Sequence, residues 1–127
     1  MPNTESMTLS RLLALKLRRE QSQRAALATL VQHEAELLQN KTRLLDERRH
    51  LWDEWRSCSA ASHVLDHRTL RDLKIELANY SQHDHAIADR LDTMQTEWSR
   101  MQLEKAERQA LLRKLMVEQE KLKMLLE

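Results

Sequence analysis

The chain has 127 residues, of which 32% are charged, 41% apolar and only 3% aromatic, with no phenylalanine and no glycine. One domain fits that length, but a mix so poor in aromatics belongs to long helical rods rather than to a globular core. A chain without glycine lacks the positive-φ positions that phosphate-cradling loops and nucleophile elbows use, so an enzyme is not expected; 21 basic residues against 20 acidic ones make no general case for nucleic acid.

The only proline is Pro2, and the lone Cys58 excludes an internal disulfide and fits a reducing compartment. The opening stretch, Met1 to Leu9, is polar and lacks the apolar core of a signal peptide. No apolar run approaches the length of a membrane span. Residues 1–8 are expected to fray, with Thr8 or Ser10 capping a first helix over about 9–57.

In that helix a walk in alternating steps of three and four gives Leu13, Leu17, Glu20, Arg24, Leu27, Val31, Glu34, Leu38, Lys41, Leu45, Arg48, Trp52 and Trp55. Eight of these thirteen positions are apolar. Apolar doublets also recur every seven residues, at Leu30-Val31, Leu37-Leu38, Leu44-Leu45 and Leu51-Trp52. The periodicity lapses between Arg56 and Asp66, and a turn is expected over about 58–65, with Ser62 or Asp66 capping the second helix.

The second helix, about 66–126, carries the stronger pattern. The same walk lands on Leu70, Leu73, Leu77, Tyr80, Asp84, Ile87, Leu91, Met94, Trp98, Met101, Lys105, Arg108, Leu112, Leu115, Gln119, Leu122 and Leu126, thirteen of seventeen apolar. A 3-4 alternation held that long is a coiled-coil seam. At about 1.5 Å per residue it makes a rod roughly 85 Å long, which needs a partner helix. The first helix supplies one. The expected fold is all-α: a long antiparallel two-helix coiled-coil hairpin forming a single domain, 1–127.

In an antiparallel pair, facing positions have a constant total. A total of 125 sets Val31 against Met94, Leu38 against Ile87, Leu45 against Tyr80 and Trp52 against Leu73, and it matches Glu20 with Lys105 and Lys41 with Asp84. Shifting by a heptad loses both charge matches. Residues after about Val117 then overhang, leaving Leu122, Leu125 and Leu126 unpartnered. Residues 11–24 carry a net +4 and residues 100–123 a net +3, and folding brings both to one end. Apolar residues on a basic tip suggest docking into an acidic-rimmed, apolar sleeve.

His63 and His67 lie four apart near Cys58, a spacing that suits two metal ligands on one helix face, but no second pair at finger-like spacing exists, and His83 and His85 diverge on a helix. Polar histidines on an exposed helix are the expectation, with no metal and no cofactor. Paired carboxylates such as Asp53-Glu54 have no pocket in a rod, so no acid–base site is expected. The basic segment Arg11, Lys16, Arg18, Arg19 and Arg24 lacks interleaved aromatics for base stacking, so nucleic acid is not expected as a partner. Trp52, Trp55 and Trp98 are large for a two-helix seam: Trp52 and Trp55 either close the hairpin core beside the turn or bind a partner.

The run Leu12-Leu13-Ala14-Leu15-Lys16-Leu17-Arg18-Arg19-Glu20 resembles the start of the FliJ/YscO/HrpO-type central stalk proteins of bacterial type III secretion. So does Leu51-Trp52-Asp53-Glu54-Trp55-Arg56, and so do Glu97-Trp98-Ser99-Arg100 and the stretch from Lys105-Ala106-Glu107-Arg108 to Gln119-Glu120-Lys121-Leu122. The resemblance spans nearly the whole chain. It implies a non-enzymatic antiparallel coiled coil whose joined termini bind the hexameric secretion ATPase and whose far end reaches the export gate, with export chaperones as further partners of some members. Carried over, the ATPase-binding residues are Arg11, Lys16, Arg18, Arg19, Arg113, Lys114, Leu122, Leu125 and Leu126, and the gate-binding residues are Leu51, Trp52, Trp55 and Arg56. The location implied is the bacterial cytoplasm, at the membrane only through partners. The alternative is a coiled-coil adaptor or escort that binds export chaperones or secreted subunits.

Overall fold

The computed structural model describes residues 4–60 and 67–127. They form two α-helices, α1 (Thr4–Ala60) and α2 (His67–Leu126), of 57 and 60 residues. Neither helix contains a glycine or a proline, so nothing removes a backbone donor or loosens a turn. Threonine hydroxyls inside the helices donate back to the carbonyl four residues earlier, at Thr8, Thr29, Thr42, Thr93 and Thr96, which satisfies them without breaking the ladder.

Both ends of α1 differ from expectation. It begins at Thr4, so Thr8 and Ser10 are interior and cap nothing. It continues through Ser57-Cys58-Ser59-Ala60, because small residues without a glycine do not force a stop. Residues 61–65 of the expected turn, and the candidate caps Ser62 and Asp66, lie outside the described residues.

The described residues pack as two compact units: α1 up to Ala35 with α2 from Ser99 onward, and Glu36–Trp98. In both units the helices run antiparallel, which makes the fold an all-α two-helix hairpin. The heptad walks carry no mark of the division.

In the unit formed by Glu36–Trp98, the core is Leu44, Leu51 and Ile87, with Tyr80, Leu91 and Met94 packed against it. Ile87, at 2% exposure, is the most buried large side chain among the described residues. Arg48 donates through Nε to Asp84 Oδ1 at 2.7 Å and through Nη2 to Oδ2 at 3.3 Å, a two-pronged pair. His83 Nε2 meets Glu47 Oε1 at 3.1 Å on the exposed rim.

In the unit formed by the remaining residues, Leu30, Met101, Leu115 and Leu122 are buried together with one polar residue, Gln119. The Gln119 amide donates to the Lys16 carbonyl at 3.4 Å, so the seam polar group finds a partner across the pair. Lys16 Nζ meets Glu118 at 2.6 Å, Arg108 donates to Gln23 Oε1 at 3.1 Å, and Lys105 Nζ lies 3.3 Å from Glu34 Oε1. The last contact lacks hydrogen-bond geometry and is Coulombic.

The α2 seam follows the expected walk from Leu73 to Leu126, with Leu70 exposed. The α1 seam keeps Leu13, Glu20, Leu27, Glu34, Arg48 and Trp55 of the expected walk, but at the positions between them it falls one residue earlier. Leu30, Leu44 and Leu51, the first members of their doublets, are buried, whereas Val31, Leu38, Leu45 and Trp52 are 52%, 49%, 43% and 39% exposed. The register moves with it. Facing residues total 130 for Glu47 and His83, 131 for Gln23 and Arg108, 132 for Arg48 and Asp84, 134 for Lys16 and Glu118 and 139 for Glu34 and Lys105, all above 125 and most by about a heptad.

The cause is the polar residues of the seam. A total of 125 would hold Arg24 against Met101 and Arg48 against Leu77, cations against hydrocarbon. The observed register instead gives Arg48 a carboxylate, and it replaces the expected Glu20–Lys105 and Lys41–Asp84 matches with Lys16–Glu118, Glu34–Lys105 and Arg48–Asp84. Glu20 pairs along its own helix with Arg24. The shift also removes the expected overhang: Leu122 is 8% exposed and Leu126 half-buried, and of that trio only Leu125, at 68%, stands free.

Candidate interaction surfaces

Among the described residues no helix is long and apolar enough to cross a membrane, and no cluster of three or more His, Cys, Asp or Glu side chains is placed to hold a metal ion. His63, one of the two histidines singled out for metal, lies outside the described residues. What the described residues present is exposed charge and exposed hydrocarbon on helix surfaces.

At the unit holding residues 4–35 and 99–127, the ends of both helices carry basic side chains. Arg11, Arg18, Arg19, Arg113 and Lys114 are exposed. Lys16 is not free, because its ammonium is committed to Glu118. Lys16, Arg19 and Lys114 line one shallow groove with Gln23, Leu115 and Glu118. The Lys16 hydrogen bond holds the Glu118 carboxyl below its usual range, with Lys114 and Arg19 adding positive potential against the opposing effect of burial. Lys16 and Glu118 therefore cancel, and the cationic character of the groove comes from Arg19 and Lys114.

The apolar part of this surface is not the one expected. Leu122 is inside the pair and cannot reach a partner without unpacking. Met124 and Leu125 are 72% and 68% exposed, and Leu103 and Val117, on the back of α2, are 68% and 54% exposed. Leu103, Ala110, Val117 and Met124 recur every seven residues, two places past the seam positions Met101, Arg108, Leu115 and Leu122. Sequence reading missed this stripe because it followed only the strongest walk. The seven-residue spacing of Leu103, Val117 and Met124 was the signal available.

In the unit Glu36–Trp98, Leu51 is 6% exposed and belongs to the core, so it is corrected from the gate-binding set. Trp52 is exposed and yet held. Its indole N–H donates to Asp84 Oδ1 at 2.7 Å, and the Arg48 guanidinium lies 4.8 Å from its ring centroid. The Arg48 hydrogen bond in turn keeps the Asp84 carboxyl below its usual range against the opposing effect of burial, aided by the Trp52 N–H. Asp84 pushes the Arg48 guanidinium further up. Trp55 is half-buried, Arg56 exposed, and both line an open notch with Trp52, Ser59 and Ala60.

Nearer the end of α1, burial pushes the Cys58 thiol up, as do its hydrogen bond to Glu76 and the Glu76 charge. Tyr80 is pushed up by burial and then by the charges of Glu54, Glu76 and Cys58. Both groups stay neutral at ordinary pH, so neither is poised as a nucleophile. A second groove, of about 230 Å³, lies between the helices and is lined by Leu37, Leu38 and Lys41 of α1 and by Met94 and Trp98 of α2, among others.

Comparison with protein-family models, with curated proteins and with solved structures finds no match.

Proposed function

We propose that this protein is a non-enzymatic stalk component of a bacterial type III secretion system, binding the hexameric secretion ATPase and linking it to the export gate. The identity of the system rests on the resemblance of residues 12–20, 51–56, 97–100 and 105–122 to the stalk family. The observation that carries the binding role is the pairing of exposed cations, Arg11, Arg18, Arg19, Arg113 and Lys114, with exposed hydrocarbon, Met124 and Leu125, within one unit that holds both helix ends. Exposed apolar side chains among like charges suit a partner with an acidic rim and an apolar lining.

The ATPase-binding set becomes Arg11, Arg18, Arg19, Arg113, Lys114, Met124 and Leu125. Lys16, Leu122 and Leu126 act by holding the helix pair together. On the gate side the set becomes Trp52, Trp55 and Arg56. The physical role is transmission: a helix pair with polar locks in its seam couples events in the ring to the gate. The location is the cytoplasm, peripheral to the membrane through those partners.

The alternative is an adaptor or escort for export chaperones or secreted subunits. Binding to the purified secretion ATPase from the same bacterium, with its export chaperones as parallel ligands, tests the choice. Saturable binding to the hexamer supports the stalk. Binding to the chaperones alone supports the escort.

A further inference from the structure

We propose that the exposed stripe Leu38, Leu45 and Trp52 of α1, with Lys41, Arg49 and Arg56 beside it, is a docking face for an acidic amphipathic helix of a protein partner. Trp52 and Arg56 also belong to the gate-facing set, but the inference does not rest on the secretion reading. It concerns the chemistry of recognition, and no secretion component enters its test.

The geometry comes first. Leu38, Leu45 and Trp52 are seven residues apart on one helix and 49%, 43% and 39% exposed, while their doublet neighbours Leu44 and Leu51 fill the core. At about 1.5 Å per residue the three positions span about 21 Å along one line, which another helix can follow with anchors at its own heptad spacing. The groove of about 230 Å³ beside Leu38 offers a socket for one such anchor.

Charge then selects the occupant. The neighbours three and four residues after each stripe position are Lys41, Thr42, Arg48, Arg49, Trp55 and Arg56, and none is acidic. The acids of the same stretch, Asp46, Glu47, Asp53 and Glu54, fall one and two residues past the stripe, about 100° and 200° round the helix. Arg48 is neutralised by Asp84, and Arg49 meets Asp46 only at 3.9 Å. An apolar line bordered by cations matches a helix with leucines at a and d and carboxylates at e and g.

The same charges disfavour the other occupants. A second copy of the stripe would set Lys41 and Arg49 against each other. A lipid surface calls for a broad apolar sector, whereas this one is a single residue wide. Trp52 adds an anchor that is already ordered: fixed by Asp84 and Arg48, its exposed edge loses little freedom on docking.

The test uses two synthetic three-heptad peptides with leucine at a and d. One has glutamate at e and g, which also keeps it from pairing with itself, and the other has lysine there. Binding to the full chain is read by fluorescence anisotropy, beside phosphatidylglycerol vesicles and sedimentation equilibrium of the chain alone. The glutamate peptide is expected to bind in the micromolar range, and the lysine peptide at least about tenfold more weakly. The Leu38→Ser/Leu45→Ser variant, with its helicity unchanged, loses about tenfold or more. The Lys41→Glu/Arg49→Glu variant weakens the glutamate peptide and gains the lysine peptide. Absence of glutamate-peptide binding, equal binding of both peptides, or indifference to both variants overturns the proposal. So does vesicle binding without peptide binding, or self-association of the chain that Leu38→Ser/Leu45→Ser abolishes.

Discussion

Replacing Leu44 with alanine, and separately replacing its neighbour Leu45, tests which side of α1 faces α2. Leu44 is 4% exposed and sits against Leu51 and Ile87; Leu45 is 43% exposed. Leu44→Ala loses the transfer free energy of its buried methyl and methylene groups and leaves a cavity in a two-helix seam, a cost of about 2–5 kcal/mol. Leu45→Ala loses roughly half of a leucine's transfer term and leaves no enclosed cavity, a cost of about 1 kcal/mol. Both changes gain the same small helix propensity, which cancels in the comparison. The difference is therefore about 1 kcal/mol or more, read from urea midpoints by far-ultraviolet circular dichroism at unchanged denaturant slope. Equal losses, or a larger loss at Leu45, would refute the seam described above.

Leu122→Ala is expected to cost about 2 kcal/mol or more, since the residue is 8% exposed, and a midpoint equal to the parent's would mean that the end of α2 is not packed. Asp84 has a folded-state pKa below its unfolded value because Arg48 donates to it, so its contribution is present above the ordinary carboxylate value of about 4 and is lost as pH falls through the folded value. Arg48→Met should move the Asp84 titration, followed by NMR, upward toward or past that ordinary value; an unmoved titration would show that the pair is not formed in solution. Arg18→Glu with Arg19→Glu is expected to weaken binding to the secretion ATPase strongly at low salt and less at high salt, because exposed charges are screened. Met124→Ser with Leu125→Ser should weaken it at all salt concentrations; equal affinities for parent and variant would remove these two residues from the contact.

The hairpin and the α2 seam were legible in the sequence because α2 offers mostly one apolar residue per seam position. Ile87, Met94, Met101 and Leu122 admit a single phase. In α1 the doublets fit two phases equally well. Only pair information separates them: Lys16, Glu34 and Arg48 need opposite charges across the pair, and they find Glu118, Lys105 and Asp84, each at a total above the expected 125. The register chosen with the other phase left Leu122 overhanging at one end, while Leu51 at the other was assigned to the gate by the resemblance alone. Arg18 and Arg19 needed no phase, since they lie outside both walks, and they are exposed as read. Met124 had the same independence and was overlooked. Trp52 was read as a seam residue facing Leu73, and neither its exposure nor its bond to Asp84 was legible, because both depend on the register.

The most direct test of the stalk reading is the affinity of the full chain for the purified hexameric secretion ATPase of its own bacterium, measured by calorimetry at low and moderate salt. Saturable binding that weakens with salt, and is lost in a chain carrying Arg18→Glu, Arg19→Glu, Met124→Ser and Leu125→Ser with its helicity intact, is the predicted result. An ATPase that does not bind the parent chain, or binds the fourfold variant equally well, contradicts it.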